Sequence, residues 1–252
     1  MPPPSCAGRQ SIPPRSNPRR LPHNPRMPFD PLSPQLSVVT QLAPVSVALL
    51  VAAYAIGSLS GSLLLGKLRG VDIRTQGSGN AGGTNAFRTQ GLRFAAAVVV
   101  FDIGKGALAT WLALRYAPVG HALSVTSHGY LAAFAAVLGH VWPIWHGFRG
   151  GKGAATLVGG LAVLWPFVLP ILLAVWAMVI VLSGYVGLAT VIAALCLPLL
   201  AWLGDAGLPR LYFALAAAVL IVFTHRGNLA RLRAGTESRF NGARLLHRWR
   251  RS

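Results

Sequence analysis

Acidic residues are almost absent from this chain. Of its 252 residues only five are Asp or Glu, against 23 Lys and Arg, so the formal net charge is +18. Charged residues make up 11% of the chain and hydrophobic residues 54%, whereas soluble domains carry roughly 25% charged residues. So few charges exclude an ordinary soluble domain. The apolar residues occur in long blocks, which predicts a polytopic integral membrane protein of the all-α class.

Cysteine is equally scarce, and its placement excludes two kinds of site. Cys6 and Cys196 lie far apart in the chain, which predicts neither a disulfide nor a zinc site. At most two acidic residues lie near the motifs described below, so we expect no metal, because Mg²⁺ and Ca²⁺ sites are built from oxygen ligands. We expect no other cofactor.

The N-terminal region lacks apolar periodicity. Residues 1–42 are rich in Pro, Arg and Ser and are predicted to be a disordered extension. They contain no apolar core of a secretory signal between Met1 and Met27, and Met27 is a second candidate start. We expect a transmembrane domain over residues 43–240 and a basic cytoplasmic tail over 241–252.

The positions of the basic residues predict the topology. Apolar blocks run over roughly 43–66, 94–117, 129–146, 154–182, 185–204 and 208–224. The loops at 67–93 and 147–153 and the tail from 225 are rich in Lys and Arg, so the positive-inside rule places them in the cytoplasm. The block 154–182 contains Pro166 and Pro170 and is predicted to form two short helices that turn between them. This gives about seven spans, with the N-terminus outside and the C-terminus cytoplasmic.

The strong positive charge has a second reading, which is binding to nucleic acid. We expect no nucleic-acid partner, because the apolar blocks leave no soluble domain to carry such an interface. Orientation in the membrane explains most of the arginines.

The first segment with chemical character is the glycine-rich stretch 77–85. Gly77, Gly79, Gly82 and Gly83 let the backbone pass close to a ligand, and consecutive N–H groups in such a turn bind anions. Polar side chains follow in the same stretch, and a guanidinium able to bind phosphate comes next. These side chains are Ser78, Asn80, Thr84, Asn85 and Arg88. The alternative is a flexible loop with orientation charges.

The second segment is a pair of ionisable residues inside an apolar block. Asp102 and Lys105 are separated by three positions, so they share a face of a helix and can pair. Ionisable residues within a membrane span are rare and usually functional. Lys105 and Lys152 are two of only three lysines in the chain, and each lies between glycines. The alternative is a structural ion pair near the helix end.

The third segment begins at His140 and continues into Gly150, Gly151, Lys152 and Gly153 just before an apolar block. A glycine turn at a helix N-terminus binds anions through free N–H groups. The stretch differs from the P-loop pattern in spacing and lacks its Ser/Thr, so it predicts phosphate binding without nucleotide hydrolysis. His140 either contributes to the site or only packs.

The fourth segment follows the last apolar block. His225, Asn228 and Arg231 lie three residues apart and share a face of a continuing helix. Glu237 is the only acidic residue in the basic tail. The alternative is an ordinary positively charged tail, which would explain the arginines but not His225, Asn228 and Glu237.

Together these four segments resemble the bacterial acyl-phosphate:glycerol-3-phosphate acyltransferase family. The family pattern Gly-Ser-Gly-Asn-x-Gly-x-Thr-Asn-x-x-Arg runs unbroken from Gly77 to Arg88. Two further patterns match from Gly139 to Thr156 and from His225 to Glu237, over roughly residues 45–240 in all. The chain departs from the family at Ser183-Gly184, where an Arg often follows the hydroxyl residue.

The resemblance implies transfer of an acyl group from acyl phosphate to the 1-hydroxyl of glycerol 3-phosphate. The products would be lysophosphatidic acid and phosphate, in the first step of phospholipid synthesis at the bacterial inner membrane. Implied partners are the two substrates, membrane lipid and a soluble enzyme that makes acyl phosphate. We expect these catalytic residues: Ser78, Arg88, Lys105, Lys152, His225 and Asn228. We expect these substrate-binding residues: Gly77, Gly79, Asn80, Thr84, Asn85, His140, Gly150, Gly151, Gly153, Arg231 and Glu237.

The residues favour catalysis by positioning and charge stabilisation. No Ser-His-Asp set and no His-x-x-x-x-Asp stretch is present. The cations would neutralise two phosphates, and the N–H groups of Gly150–Gly153 would cradle one of them. Either His225 or a substrate phosphate oxygen would take the hydroxyl proton. The rival class is a transporter of phosphorylated solutes, which would use the same basic loops but usually shows internal repeats.

Overall fold

The structure is a computed structural model that describes residues 44–119, 123–204 and 207–240. Within these ranges the chain forms α-helices and two short 3₁₀ turns, with no strand, which confirms the predicted all-α class for the described residues. The helices are α1 (Pro44–Gly57), α2 (Gly61–Leu68), α3 (Gly83–Gln90), α4 (Leu92–Tyr116), α5 (Val125–Val141), α6 (Ala154–Leu164), α7 (Val168–Ser183), α8 (Val186–Leu203), α9 (Leu208–Thr224) and α10 (Arg226–Arg233). The predictions for 1–42 and 241–252 lie outside the described residues.

Two of these helices are long and apolar enough to cross a bilayer alone. They are α4 with 25 residues and α8 with 18 residues, and the number rises to four if α1–α2 and α9–α10 each form one bent span. The bends are 46° and 53°. The α6 and α7 helices are apolar but shorter, with 11 and 16 residues. The count of about seven spans and the orientation therefore stay predictions.

The outer surface of the bundle is apolar. Val100, Leu173 and Val219 are 70%, 64% and 69% exposed and lie on three different helices. A soluble protein rarely exposes large side chains over so many elements, and contiguous apolar surface marks contact with lipid or protein. The bundle is therefore apolar on its outside as well as in its core.

A break in the first apolar block is stabilised by the buried charges of α4. The helix stops at Gly57 and restarts at Gly61, which frees backbone groups that water cannot reach inside a bilayer. Lys105 donates to the Leu59 carbonyl at 2.6 Å, and the Gly61 N–H donates to Asp102 at 3.2 Å. The ion pair predicted from the sequence thus supplies the partners that the broken helix needs.

The predicted break in the block 154–182 is present. The α6 helix ends at Leu164 and α7 begins at Val168, with Pro166 between them. Pro170 falls in the first turn of α7, where proline is tolerated because the first N–H groups have no partner within the helix. The two prolines therefore act differently, and the break falls at the first.

Helices α4 and α6 cross with their backbones in contact. A Cβ atom on Gly106 would collide with the Thr156 carbonyl oxygen, and one on Gly159 would collide with the Ile103 carbonyl oxygen. Small residues at a crossing let helices approach closely. This contact fixes the start of α6, and with it the loop 147–153, against the buried pair on α4.

Candidate active site

One cavity of about 710 Å³ is lined by residues from several predicted motifs. Its polar end carries side chains from the glycine-rich stretch, the loop before α6 and the end of the bundle: Ser78, Asn80, Thr84, Arg88, Lys152, His225, Asn228, Arg231 and Glu237. A smaller cavity of about 200 Å³ shares Ser78, Asn80, Lys152, Asn228 and Arg231 with it. Residues separated by up to 159 positions in the chain therefore surround one polar space.

The same cavity continues between helices as an apolar channel. Its walls come mainly from α6, α7 and α8: Leu157, Leu161, Leu169, Leu172, Leu173, Trp176, Ala193, Ala194 and Leu197. Sequence reasoning missed this channel, because side chains that line it look like any other apolar helix residues. A site with a cationic mouth and an apolar interior suits an amphiphilic substrate.

The glycine-rich stretch is held in shape by Asn85. Its side-chain oxygen accepts from the Ser78 N–H at 2.9 Å, and its NH₂ group donates to the carbonyls of Ile73 and Gln76, each at 3.0 Å. Gly77 has φ +56°, and a Cβ there would collide with the Asn85 oxygen. Asn85 is predicted to bind substrate, but its side-chain amide makes hydrogen bonds within the loop itself.

The N-terminus of α3 faces the cavity. Gly82, Gly83 and Thr84 line the cavity wall, and α3 begins at Gly83 with no acidic residue in its first turn. The first N–H groups of a helix lack carbonyl partners and favour an anion. Arg88 lies one turn further along and lines the same cavity, so α3 adds both backbone donors and a guanidinium.

The loop before α6 differs from the prediction in one respect. The Gly150 N–H donates to the Val141 carbonyl at 3.2 Å, and the Gly151 N–H donates to the His140 carbonyl at 3.1 Å. These two N–H groups are therefore occupied, and the predicted cradle over Gly150–Gly153 is wrong for its first half. Lys152 and Gly153 do line the cavity, and Gly153 adopts φ +89° immediately before the first turn of α6.

Lys152 is linked to the fourth motif by a chain of polar contacts. Its ammonium donates to the Asn228 side-chain oxygen. The Asn228 NH₂ donates to Glu237 at 2.7 Å, and Arg231 donates to the other Glu237 oxygen at 2.7 Å. Glu237 is buried at 8% exposure. One carboxylate thus orients both an amide and a guanidinium at the cavity.

The charge of Lys152 is sensitive to its surroundings. Burial lowers the pKa of its ammonium to about 8, and Arg231 and Arg88 act in the same direction, while Glu237 opposes them. Protonated lysine is disfavoured where desolvation and like charges combine. A bound anion would offset the repulsion between these cations and raise the pKa of Lys152. The cationic end of the cavity is therefore suited to a negatively charged ligand.

The tautomer of His225 follows from its contacts. Its Nδ1 lies 2.8 Å from the Ile221 carbonyl oxygen, which only accepts hydrogen bonds, so Nδ1 carries the proton of the neutral ring. The Nε2 atom then has a free lone pair. His225 is buried and lines the cavity, which makes Nε2 a possible proton acceptor there.

The buried pair on α4 extends to a third residue, His140. The Lys105 ammonium lies 3.0 Å from Asp102 and 2.9 Å from the His140 Nδ1 atom. Asp102 and His140 line the cavity, but Lys105 is absent from its lining and its side chain is 3% exposed. Lys105, predicted to neutralise a substrate phosphate, therefore lies behind the cavity wall.

The C-terminal segment after α10 covers the turn at Gly184. The Phe240 N–H donates to the Gly184 carbonyl at 2.8 Å, and the Arg239 guanidinium donates to the Tyr185 hydroxyl at 2.5 Å. Arg88 donates to the Ser238 carbonyl at 3.5 Å. The turn that lacks the family's usual arginine thus has the guanidinium of Arg239 beside it.

The structure brings most of the predicted residues to one place. The cavities are lined by Ser78, Gly79, Asn80, Thr84, Asn85, Arg88, His140, Lys152, Gly153, His225, Asn228, Arg231 and Glu237. Gly77, Gly150, Gly151 and Lys105 do not line either cavity; the three glycines shape the loops and Lys105 supports the wall. The role of each residue in catalysis stays a prediction.

Fold and site define a helical membrane protein whose cavity has a cationic end and an apolar interior. A family model described as glycerol-3-phosphate acyltransferase matches residues 47–235. The chain belongs to the glycerol-3-phosphate acyltransferase family, and it is an acyltransferase and an integral membrane protein. The predicted family resemblance is confirmed.

Relatives and a solved structure agree with this assignment. A glycerol-3-phosphate acyltransferase of Gloeobacter violaceus is 42% identical over 77% of this chain and 94% of the relative. One of Shewanella woodyi is 38% identical over 78% and 94%. A crystal structure of PlsY (YgiH), an integral membrane glycerol 3-phosphate acyltransferase in its glycerol 3-phosphate form, gives a TM-score of 0.72 at 33% identity. That match covers 77% of this chain and 95% of the PlsY chain.

Proposed function

We propose that this acyltransferase moves an acyl group from acyl phosphate to the 1-hydroxyl of glycerol 3-phosphate. The products are lysophosphatidic acid and inorganic phosphate, and the reaction is the first step of phospholipid synthesis in the bacterial inner membrane. The observation that carries the proposal is the single cavity in which a cationic mouth joins an apolar channel. A substrate pair with phosphate and acyl parts uses both regions of this cavity.

The acceptor substrate is supported by the relatives. The PlsY crystal structures are of a glycerol 3-phosphate form and a lysophosphatidic acid form. Their substrate and product each carry a phosphate beside a glycerol unit. In this chain Ser78, His225 and Asn228 line the cavity near the cations, and we assign them to orienting the glycerol hydroxyls.

The two phosphates are assigned to the cationic mouth. Arg88, Lys152 and Arg231 line it, with Glu237 as the acidic partner of Arg231. Three cations and one carboxylate leave a net charge of about +2 when Lys152 is protonated. Two phosphate groups held side by side repel each other, so this excess of positive charge is what the ternary complex requires.

The acyl chain is assigned to the apolar channel. Its wall along α8 runs from Gly187 beside Asn228 to Leu197, which is ten residues or about 15 Å of helix at 1.5 Å rise per residue. Removing each methylene from water contributes about 0.8 kcal/mol, so a long acyl chain stays in the apolar channel or the surrounding lipid, while the phosphate reaches the cationic end. A soluble enzyme that makes acyl phosphate would deliver this substrate.

The reaction itself needs little more than positioning. The 1-hydroxyl oxygen bonds to the acyl carbon, the bond from that carbon to the phosphate oxygen breaks, and phosphate leaves with the electron pair. Phosphate is a weak base and departs without a strong acid. The hydroxyl proton goes either to His225 Nε2 or to a substrate phosphate oxygen. Effective molarity from orientation supplies a large part of the barrier reduction.

No metal or other cofactor takes part in this scheme. Among residues 44–119, 123–204 and 207–240 no group of three potential metal-ligating side chains is found. In the proposed scheme the cationic side chains supply the charge stabilisation. Addition of a chelator to the purified enzyme tests this directly. Strong inhibition that a divalent ion reverses would contradict the metal-free scheme.

The function is tested with the full-length protein purified in detergent. Acyl phosphate and glycerol 3-phosphate together should give lysophosphatidic acid and an equal amount of phosphate. Acyl phosphate alone should give only slow hydrolysis, and glycerol 3-phosphate alone should give no product. A transporter would give no product without a sealed compartment. Acyl-coenzyme A offered in place of acyl phosphate is the donor control. Product from the coenzyme A ester but not from acyl phosphate would overturn the proposed donor.

A further inference from the structure

The Lys105 ammonium has three N–H donors and three acceptors around it. It donates to the Leu59 carbonyl at 2.6 Å, to Asp102 at 3.0 Å and to the His140 Nδ1 atom at 2.9 Å. A protonated lysine has three donors and no lone pair. The ammonium is therefore fully satisfied and has no donor left for a substrate.

This arrangement selects one tautomer of His140. Because the ammonium cannot accept, Nδ1 must be the acceptor of that contact, and the proton of the neutral ring is on Nε2. Asp102 lies 3.5 Å from Nδ1 and accepts from Lys105 and from the Gly61 N–H at shorter distances. The Asp102 oxygen nearest to Nδ1 thus already accepts from two closer donors, whereas Nδ1 has the Lys105 ammonium as its nearer partner.

The Nε2 edge of His140 faces the loop that carries Lys152. A Cβ atom on Gly151 would collide with Nε2, so the ring edge lies against the loop backbone. His140 lines the cavity although only 3% of its surface is exposed. Among the hydrogen bonds of the described residues, none engages Nε2. The Nε2 atom is not among the fully buried, unpartnered side-chain atoms of the described residues, so it keeps some exposure beside the loop. Because His140 lines the cavity, the ring presents a fixed N–H group at the cavity wall.

The position of His140 suits the acyl carbon better than the phosphates. The α4 residues that line the cavity beside Asp102 are the apolar Val99 and Ile103, while Lys152 lies in the adjoining loop. His140 thus occupies the border between the apolar channel and the cationic mouth. In an acyl phosphate the carbonyl group lies at that border, between the chain and the phosphate.

We propose that the His140 Nε2–H group donates a hydrogen bond to the carbonyl oxygen of the acyl group during transfer, and that Lys105 positions it by fixing the tautomer. Negative charge develops on this oxygen when the hydroxyl adds to the carbonyl carbon. A rigid donor in a site with little water stabilises such charge more than it stabilises the ground state. The inference rests on the proposed function, because it concerns the group transferred there.

Two substitutions at His140 separate this role from packing. His140→Gln places an N–H donor near the original Nε2 position, whereas His140→Asn places its amide near the original Nδ1 position. We expect His140→Asn to lower kcat by about 100-fold, the loss seen when one such donor is removed, with KM little changed. We expect His140→Gln to retain at least about tenfold more kcat than His140→Asn. Equal kcat values for the two variants, or a loss confined to KM, would overturn the proposal.

The positioning role of Lys105 is tested by rescue. Lys105→Met frees Nδ1 to donate to Asp102, so Nε2 becomes an acceptor that repels the developing charge. We expect its kcat to fall as far as that of His140→Asn. Adding His140→Gln to Lys105→Met should raise kcat again, because the glutamine donor does not depend on a tautomer. If the double variant is no better than Lys105→Met, Lys105 does not act through His140.

The tautomer of His140 can also be measured directly in the wild-type protein, so this test does not depend on the activity of a variant. Full-length wild-type protein with ¹⁵N-labelled histidine should give a His140 spectrum in which Nε2 carries the proton, assigned by its loss in His140→Gln. A proton on Nδ1 would overturn the inference even in an active enzyme. Conversely, if the wild-type protein does not transfer acyl groups, the proposed function is overturned, although the measured tautomer of His140 is unaffected.

Discussion

Lys152 and Asn228 are hydrogen-bonded to each other although 76 positions separate them in the chain. The contact joins the loop before α6 to the helix after α9, and it places an ammonium and an amide at one wall of the cavity. Thr224 strengthens the junction by donating to the Lys152 carbonyl at 3.0 Å. Two motifs that the sequence shows only as separate stretches thus form one unit.

Replacement of Lys152 by Ala should abolish acyl transfer. The variant loses the charge assigned to a phosphate and leaves the side-chain oxygen of Asn228 without its donor, so we expect kcat/KM to fall by at least about 100-fold. The measurement is the acyl-transfer activity of the purified variant. The amount of the variant in the membrane is determined in parallel, so that a loss of protein is not mistaken for a loss of activity. Lys152→Arg is the matched variant, since it retains the charge but not the compact shape. Full activity in Lys152→Ala would contradict the assignment.

The pH dependence should report the Lys152 ammonium. Burial and the neighbouring arginines lower its pKa to about 8 in the free protein. Below that pH the group is charged and binds phosphate, and above it the charge is lost, so kcat/KM should fall as pH rises through about 8. A bound anion stabilises the charged form, and kcat should therefore fall at a higher pH than kcat/KM.

The arginine variant again supplies the control for this pH profile. A guanidinium stays protonated throughout the accessible range, so Lys152→Arg should lose the alkaline decline in kcat/KM, whatever its absolute rate. An unchanged decline would assign the titration to another group. The substrate phosphate titrates near pH 6, well below the window that concerns Lys152.

Removal of the Glu237 carboxylate should disorder the wall that it organises. Glu237 accepts from Asn228 and from Arg231, each at 2.7 Å. Loss of both contacts in Glu237→Ala should lower kcat/KM by roughly tenfold, the effect of about 1.4 kcal/mol. Glu237→Gln retains an acceptor for Asn228 and should lose less. Steady-state kinetics of the two variants is the measurement, and an equal loss would show that only the charge matters.

A methyl group at the α4–α6 crossing should destabilise the bundle. Gly106→Ala places a Cβ against the Thr156 carbonyl oxygen, whereas Gly104, in the same helix, has open space where its Cβ would be. Overpacking typically costs about 1–3 kcal/mol, while Gly→Ala in an unobstructed helix contributes roughly 0.5–1 kcal/mol of stability. Thermal unfolding in detergent should therefore give a lower Tm for Gly106→Ala and an equal or higher Tm for Gly104→Ala. The reverse order would contradict the crossing geometry.

Filling the apolar channel should change the preferred acyl chain. Ala194 lines the cavity on α8, and the adjacent Leu195 is 51% exposed on the outside of the bundle. Ala194→Phe should raise KM for long-chain acyl phosphates more than for short ones, because the ring occupies space that the chain needs. Leu195→Phe is the control and should leave the chain-length profile unaltered. Profiles that shift equally in both variants would place the chain outside the channel.

Several features could be predicted from residue order alone. The apolar blocks predict the helices, since 20 or so apolar residues have few other stable arrangements in a bilayer. Pro166 marks the break between α6 and α7. The spacing of Asp102 and Lys105 predicts their pairing, found at 3.0 Å. These features depend on contacts within one helix or on the transfer of apolar residues from water into the bilayer. Residues that are neighbours in the sequence are therefore enough to determine them.

The rest depended on how the helices pack. Whether Lys105 faces a substrate or the Leu59 carbonyl depends on the rotation of α4 and on a break in a different helix. The N–H groups of Gly150 and Gly151 bond to carbonyls at the end of α5, a contact with no trace in the local sequence. The channel beside Ala194 exists because three apolar helices leave space between them. Such features are set by long-range close packing, where a rotation or shift of one helix changes which atoms meet.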